Sequence, residues 1–210
     1  MNQPDLHPLF STPLYVNHIT DDEFSIVAQA VINTDCPKLN TYEGNGYMSD
    51  DTVWLDNHTD VKNIMEKYLD DYVHKQLAIS KRHQLSHCTS WVNLHKPGDI
   101  GQSHVHSNSM FSGVLYVKVD RDSGPIRFQY PSMIPTYMTH QIEVDLDDNN
   151  IYNMREAVIN PNNKMILLFP SHLSHDIAPN LSTIDRYSMA FNYFLKGTFG
   201  NDAESRLSLA

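Results

Sequence analysis

The N-terminal part of the chain carries apolar residues at helical spacing. Residues 21–33 (DDEFSIVAQAVIN) begin with acids, which favour a helix start, and continue with apolar residues at mixed helical intervals. Residues 58–79 hold a clearer stripe with a period near 3.6 residues. Its members are Val61, Ile64, Met65, Tyr68, Leu69, Tyr72, Val73 and Leu77. We therefore predict two helices, of which the second packs its apolar stripe on a sheet.

From residue 86 onward the pattern changes to short strands separated by turns. β-Branched and aromatic residues dominate these segments, and Pro, Gly or acidic turns end most of them. The strand-like segments are residues 86–96, 111–119, 125–131, 164–170 and 186–195. Residues 139–160 indicate a further hairpin over the turn-like DLDDNN. Several short strands of this kind predict a sandwich, jelly roll or barrel with the helices on one outer face.

The length and composition favour one globular domain. The chain has 210 residues, of which 40% are hydrophobic, and it contains no internal repeat, low-complexity tract or linker. We therefore predict a single domain over residues 1–210. Its helical support covers about residues 1–82, and its strand core covers about residues 83–197.

Charge, cysteine content and hydropathy exclude several function classes. The formal charge is -10, which disfavours a nucleic-acid partner because phosphate binding needs a basic surface. Two cysteines are too few for a disulfide framework and indicate a reducing cytoplasm. No apolar run approaches the roughly 20 residues that span a bilayer, and the N-terminus lacks a signal-peptide pattern. We expect a cytoplasmic protein that acts on a small molecule, a peptide or a protein.

Twelve histidines are unusual for this length, and several lie on strand-like segments. His104 and His106 are separated by one residue, so on a strand both imidazoles point to the same side. Two imidazoles at that spacing can share an iron, zinc, copper or nickel ion. A pair of surface histidines beside the GDIGQ loop is the alternative interpretation.

Two later segments carry further polar residues of interest. In LLFPSHLSHDIAPN a buried strand ends at Pro170, and either His172 or His175 could return to a metal. In RYSMAFNYF, alternation places Arg186 and Ser188 on one strand face and large apolar residues on the other. A buried guanidinium is costly unless an anion pairs with it, and a carboxylate is its best match. The alternative is a solvated surface arginine.

Together these segments resemble the iron(II)/2-oxoglutarate-dependent oxygenases, and within them an uncharacterised group from bacteria and phages. The resemblance spans nearly the whole chain and is weakest over residues 139–160. It is carried by HPLFSTPLY, WVNLHKPGDIGQSHVHSNSMFSGVLYV, ILLFPSHLSHDIAPN and DRYSMAFNYF.

The resemblance implies a double-stranded β-helix, a jelly-roll barrel that is mainly β with flanking helices. It implies a dioxygenase that uses iron(II), 2-oxoglutarate and O2, hydroxylates a C–H bond and releases succinate and CO2. His104 and His175 match the first and distal metal ligands, with His175 matching better than His172. The co-substrate positions fall on Arg186, Ser188, Tyr116 and Asn93.

One position departs from the family pattern. The usual metal site has two histidines and a carboxylate, and His106 stands where the carboxylate is expected. No acid occurs between Asp99 and Asp120, so we predict His106 as the third ligand. The rival interpretations are a three-histidine, cupin-like dioxygenase that does not use 2-oxoglutarate, and a non-enzymatic jelly-roll structural or binding protein.

Overall fold

The described strands form two facing antiparallel sheets. The structure, a computed structural model, describes residues 5–39, 44–129, 145–200 and 204–209. The larger sheet has the order β1-β9-β6-β11-β4-β3, with β12 paired to β11, and the smaller sheet has the order β2-β5-β10-β7-β8. The strands are β1 Tyr15–His18, β2 Gly44–Asn45, β3 Tyr47–Met48, β4 Gln84–His95, β5 Ile100–His104, β6 Phe111–Lys118, β7 Ile126–Gln129, β8 Glu156–Ile159, β9 Met165–Pro170, β10 His175–Ile177, β11 Arg186–Phe199 and β12 Leu207–Leu209.

The two predicted helices are present and cover the outer face of the larger sheet. Helix α1 spans Asp21–Ile32 and α2 spans Thr59–Asp70, continued by a π-helical turn over Asp71–Gln76. A 3-10 turn, Trp54–Asn57, precedes α2. Within the described part of the chain, no helix is both long and apolar enough to cross a bilayer.

Alternation along β11 divides the buried residues into two clusters. Met189, Phe191 and Tyr193 join the helix residues in one cluster on the outer face of the larger sheet. The second cluster lies between the sheets and includes Tyr116, Phe128 and Phe169. Both faces of β11 are therefore buried, and its polar residues on the inner face lie inside the barrel rather than in solvent.

The predicted fold class, a mainly β jelly-roll barrel with flanking helices, is confirmed. The N-terminal part is not helical alone, because β1 joins the edge of the larger sheet and β2 joins the smaller one. The hairpin predicted over residues 139–160 lies partly outside the described residues, of which β8 is the strand seen there. The proposed division near residue 82 coincides with the loop before β4.

Glu23 joins the start of α1 to α2. Its carboxylate accepts hydrogen bonds from the Thr20 backbone at 2.9 Å, from Lys67 Nζ at 2.6 Å and from the Tyr68 hydroxyl at 2.8 Å. The Thr20 side chain in turn caps the helix, which completes a capping box. Burial raises the pKa of Glu23, but the hydrogen bonds from Lys67, Thr20 and Tyr68 outweigh it and lower the pKa to about 2.

We expect Glu23→Gln to reduce the free energy of unfolding by about 1–2 kcal/mol at neutral pH, because charge-assisted bonds are lost. Because the pKa of Glu23 is lower in the folded state, its carboxylate stabilises the fold fully at pH values above the unfolded-state pKa. This stabilisation is lost as pH falls from about 4.5 towards about 2. Urea unfolding at pH 7 and pH 3 measures the difference, which should shrink at the lower pH. Asp22→Asn, in the same exposed first turn, is the matched control and should change little. A Glu23→Gln effect independent of pH would contradict the charge argument.

Candidate functional site

Strand pairing brings His104 and His175 together. His104 ends β5 and lies directly opposite His175, the first residue of β10, with ring centroids 4.4 Å apart. The Nδ1 atom of His104 lies 2.7 Å from the Gln102 carbonyl oxygen, and that of His175 lies 2.9 Å from the Leu173 carbonyl oxygen. Donation from Nδ1 leaves the Nε2 lone pair of each ring available to a metal.

His106 completes the group from a turn rather than from the strand. The strand β5 ends at His104, and the backbone N–H of His106 donates to the Ser171 carbonyl at 3.0 Å. This bond carries the His106 ring to 4.9 Å from the His104 ring and 5.1 Å from the His175 ring, between centroids. The nitrogen atoms offered by the three residues lie within 4.8 Å of one another. Three imidazoles this close fit one shared metal ion.

Burial keeps His106 and His175 neutral, which is the state that binds a metal. Burial, with the neighbouring His175 and His104, lowers the pKa of His106 to about 3. Burial likewise lowers the pKa of His175 to about 4, and the rings of Phe128 and Phe169 pack beside it. Since the ligands carry no charge, a divalent ion here keeps its full positive charge for an anionic partner.

Two other candidates for the ligand role lie elsewhere. His172 is exposed and is not part of the group that the described residues form. Asp176 follows His175 in the chain, but its carboxylate accepts from Arg127 Nε at 2.6 Å and from Gln129 at 3.3 Å. Among the described residues, the group therefore contains histidines alone and no carboxylate.

The Arg186 guanidinium is buried and has no acidic partner within the described part of the chain. The residue is 1% exposed, and neither Nε nor Nη1 has a hydrogen-bond partner among the described residues. The Tyr116 hydroxyl is also buried, and among the described residues no partner meets it in hydrogen-bond geometry. Burial raises its pKa and the neighbouring Arg186 opposes that rise; the guanidinium carbon lies 5.3 Å from the centroid of the Tyr116 ring. Unsatisfied buried donors are costly. Their convergence fits a carboxylate bound between them.

Ser188 and Asn93 belong to the same inner face. Ser188 pairs with Asn93 on β4 and with Tyr116 on β6, so the three form a row across the larger sheet. The Asn93 side-chain oxygen accepts from Trp91 Nε1 at 3.0 Å, which fixes its orientation. The structure thus brings the four predicted co-substrate residues to one inner surface of the barrel.

His95 belongs to this surface, and the sequence analysis did not identify it. It lies opposite Arg186 in the β4–β11 register, and its Nδ1 atom is buried without a partner among the described residues. Burial and the Arg186 charge lower its pKa to about 4, so the ring is neutral. The signal was present, since His95 alternates with Asn93 on the same strand face.

Comparisons with known proteins find a matching family model and solved structures of similar fold. A family model described as "Putative 2OG-Fe(II) oxygenase" matches residues 89–192, which include every site residue named above. Comparison with curated protein sequences finds no significant match.

Solved structures are similar in fold at low sequence identity. An oxidoreductase of the 2OG-Fe(II) oxygenase family from Burkholderia pseudomallei has a TM-score of 0.60 at 10% identity, over 83% of this chain and 79% of its own. A prolyl hydroxylase from Trichoplax adhaerens, in complex with a hypoxia inducible factor peptide fragment, has a TM-score of 0.58 at 13% identity, over 86% and 83%. HygX from Streptomyces hygroscopicus, with nickel and 2-oxoglutarate bound, has a TM-score of 0.55 at 12% identity, over 94% and 91%.

Proposed function

Because this chain belongs to the iron(II)/2-oxoglutarate-dependent oxygenases, we propose that it hydroxylates a C–H bond of a small-molecule or peptide substrate. The observation that supports this most strongly is the pairing of a three-histidine group with a buried arginine that has no anionic partner among the residues the structure describes. The first fits a divalent metal, and the second fits the distal carboxylate of 2-oxoglutarate. A structural jelly roll or a cupin-like enzyme without 2-oxoglutarate has no use for the buried arginine.

In this proposal His104, His106 and His175 hold iron(II), and Arg186 binds the distal carboxylate of 2-oxoglutarate. Ser188, Tyr116 and Asn93 line the same site and orient the co-substrate. With these groups bound, the chemistry supplied is oxidation of substrate C–H to C–OH by O2, coupled to conversion of 2-oxoglutarate to succinate and CO2. The protein positions the reactants between its two sheets.

Release of succinate from 2-oxoglutarate tests the proposed reaction. Protein supplied with iron(II), O2 and 2-oxoglutarate should form succinate slowly without substrate, and faster when a substrate from a peptide or metabolite collection is added. Metal-chelated protein is the control and should form none. If iron-loaded protein forms no succinate under any of these conditions, the proposed function is wrong.

Substitution of His106 tests whether it is the third metal ligand. We expect His106→Ala to weaken iron(II) binding clearly, because one of three ligands is removed. His106→Asp should still bind iron(II), because a carboxylate is the usual family ligand at this position. Calorimetric titration of each variant with iron(II) under exclusion of oxygen gives the affinities. Unchanged affinity in His106→Ala would mean that the third ligand is another residue or solvent.

The hydroxyl groups around Arg186 should contribute modestly. We expect Tyr116→Phe and Ser188→Ala each to cost about 1 kcal/mol in 2-oxoglutarate binding, roughly a fivefold loss of affinity. Tyr116→Phe keeps the ring beside Arg186, so the change isolates the hydroxyl. Tyr187→Phe, on the opposite face of β11, is the control and should bind 2-oxoglutarate normally. A loss in Tyr187→Phe equal to that in Tyr116→Phe would contradict the assigned face.

A further inference from the structure

A cavity lies next to the histidine group. It has a volume of about 300 Å³, and His106 forms part of its wall. Asn192 also lines it, six residues beyond Arg186 on the same face of β11, which is about 20 Å along a strand. A molecule in this cavity and a co-substrate on Arg186 therefore occupy different stretches of the barrel.

The wall of this cavity carries no charged side chain among the described residues. Met48, Trp91 and Val105 supply apolar surface, and the Trp91 ring lies 5.7 Å from the His106 ring between centroids. The polar lining consists of hydroxyl and amide groups, from Thr52, Thr89, Ser107 and Asn192. A charged ligand group would gain no ion pair from these lining residues, whereas an apolar group would bury part of the Met48, Trp91 and Val105 surface.

Some of the polar groups in this wall already have partners. The Asn192 amide nitrogen donates to the Thr89 hydroxyl at 2.9 Å, and its oxygen accepts from the Ser112 hydroxyl at 2.7 Å. The Trp91 indole N–H is bound to Asn93. Thr89 therefore accepts one bond, and its own hydroxyl proton remains available to a ligand.

We propose that this cavity binds the substrate through an uncharged, partly apolar group that packs against Trp91 and accepts a hydrogen bond from Thr89. This inference rests on the proposed function, because the cavity places the substrate group that is to be hydroxylated beside the histidine group. The shared chemistry fits a neutral residue within a peptide and an equivalent neutral small molecule. In the metal-free protein, a carboxylate or ammonium group at the same position meets no counter-ion on the described wall and binds more weakly.

Trp91 provides a direct test that needs no iron and no turnover. The chain has two tryptophans, and Trp54 is 1% exposed and donates to Thr34, away from the cavity. Metal-free protein is titrated with N-acetyl-Gly-Val-Gly-amide, with the matched Gly-Glu-Gly and Gly-Lys-Gly peptides, and with N-acetylvalinamide. We expect the fluorescence titration to give at least tenfold tighter binding for the valine peptide than for either charged peptide. Trp91→Phe should lose the signal.

The valine probes also distinguish the two sources of the ligand. Tighter binding of the peptide than of N-acetylvalinamide assigns a peptide substrate, and equal binding assigns a small neutral molecule. Thr89→Val should weaken binding of the valine probes about five- to tenfold. Ser112→Ala removes the other partner of Asn192 but does not line the cavity, so it controls for damage to the network and should bind normally.

Three results would overturn the proposal: no response to either valine probe, equal or tighter binding of a charged peptide, or a signal that persists in Trp91→Phe. Thermal unfolding of each variant confirms that the fold is retained. Because the titration uses metal-free protein, its failure is separable from failure of the oxygenase proposal, which shows as an absence of 2-oxoglutarate binding or succinate release.

Discussion

We expect His175→Ala to lower the affinity for iron(II) at least about a hundredfold while the fold is largely retained. His175 is one of three neutral nitrogen ligands, and its Nδ1 contact with the Leu173 carbonyl holds the ring in place. Loss of a residue that only supports a ligand typically costs about 10- to 100-fold in metal affinity, so loss of the ligand should cost more. Anaerobic calorimetry with iron(II) measures the effect.

Two further variants make this result interpretable. His175 is 4% exposed and packs against two phenylalanines, so alanine leaves a cavity. His175→Gln fills more of that space and should also fail to bind, which separates ligand loss from damage to packing. His172→Ala, three residues earlier and exposed, is the matched control and should bind iron(II) almost normally. Stronger loss in His172→Ala than in His175→Ala would transfer the ligand role to His172.

We expect Arg186→Ala to weaken 2-oxoglutarate binding by about 30-fold to several thousand-fold, which corresponds to about 2–5 kcal/mol for a buried charge-assisted pair. Iron(II) binding should be nearly unchanged, because Arg186 is not part of the histidine group. Arg186→Lys should also bind poorly, since an ammonium group lacks the planar fork that holds a carboxylate through two bonds. Anaerobic titration of iron-loaded protein with 2-oxoglutarate gives both affinities.

Removal of Arg186 has a second consequence that must be controlled. The guanidinium is buried with no acidic partner among the described residues, and burial lowers its pKa. Its replacement by a neutral side chain can therefore stabilise the protein without ligand. Arg186→Met, which keeps an apolar chain in the same space, should unfold at the same or a higher temperature than wild type and still bind 2-oxoglutarate poorly.

The fold and much of the site were predictable because they depend on local periodicity. The apolar stripe over residues 58–79 specified α2 and the turn that follows it, and alternation over residues 186–195 specified β11. That alternation also placed Arg186 and Ser188 on one face. The burial of that face was not local information, because it depends on the smaller sheet that covers it.

The remaining features depend on contacts between distant parts of the chain. His106 was expected on a strand, yet it reaches the group from a turn held by Ser171, which is far away in sequence. The position of His95 directly opposite Arg186 becomes visible only once β4 and β11 are aligned. The cavity beside His106 joins residues from β3, β4, β11 and the turn after β5, so no single motif could have indicated it.

We infer above all that the buried Arg186 site binds the distal carboxylate of 2-oxoglutarate while the histidine group holds iron. The most direct measurement compares 2-oxoglutarate with 2-oxobutanoate, which has the same keto acid end but no distal carboxylate. Both are titrated into iron-loaded wild-type protein under exclusion of oxygen. We predict that 2-oxoglutarate binds at least about 30-fold more tightly, and that this preference disappears in Arg186→Ala. Equal affinity of the wild-type protein for the two acids would contradict the account and favour a three-histidine, cupin-like dioxygenase that does not use 2-oxoglutarate.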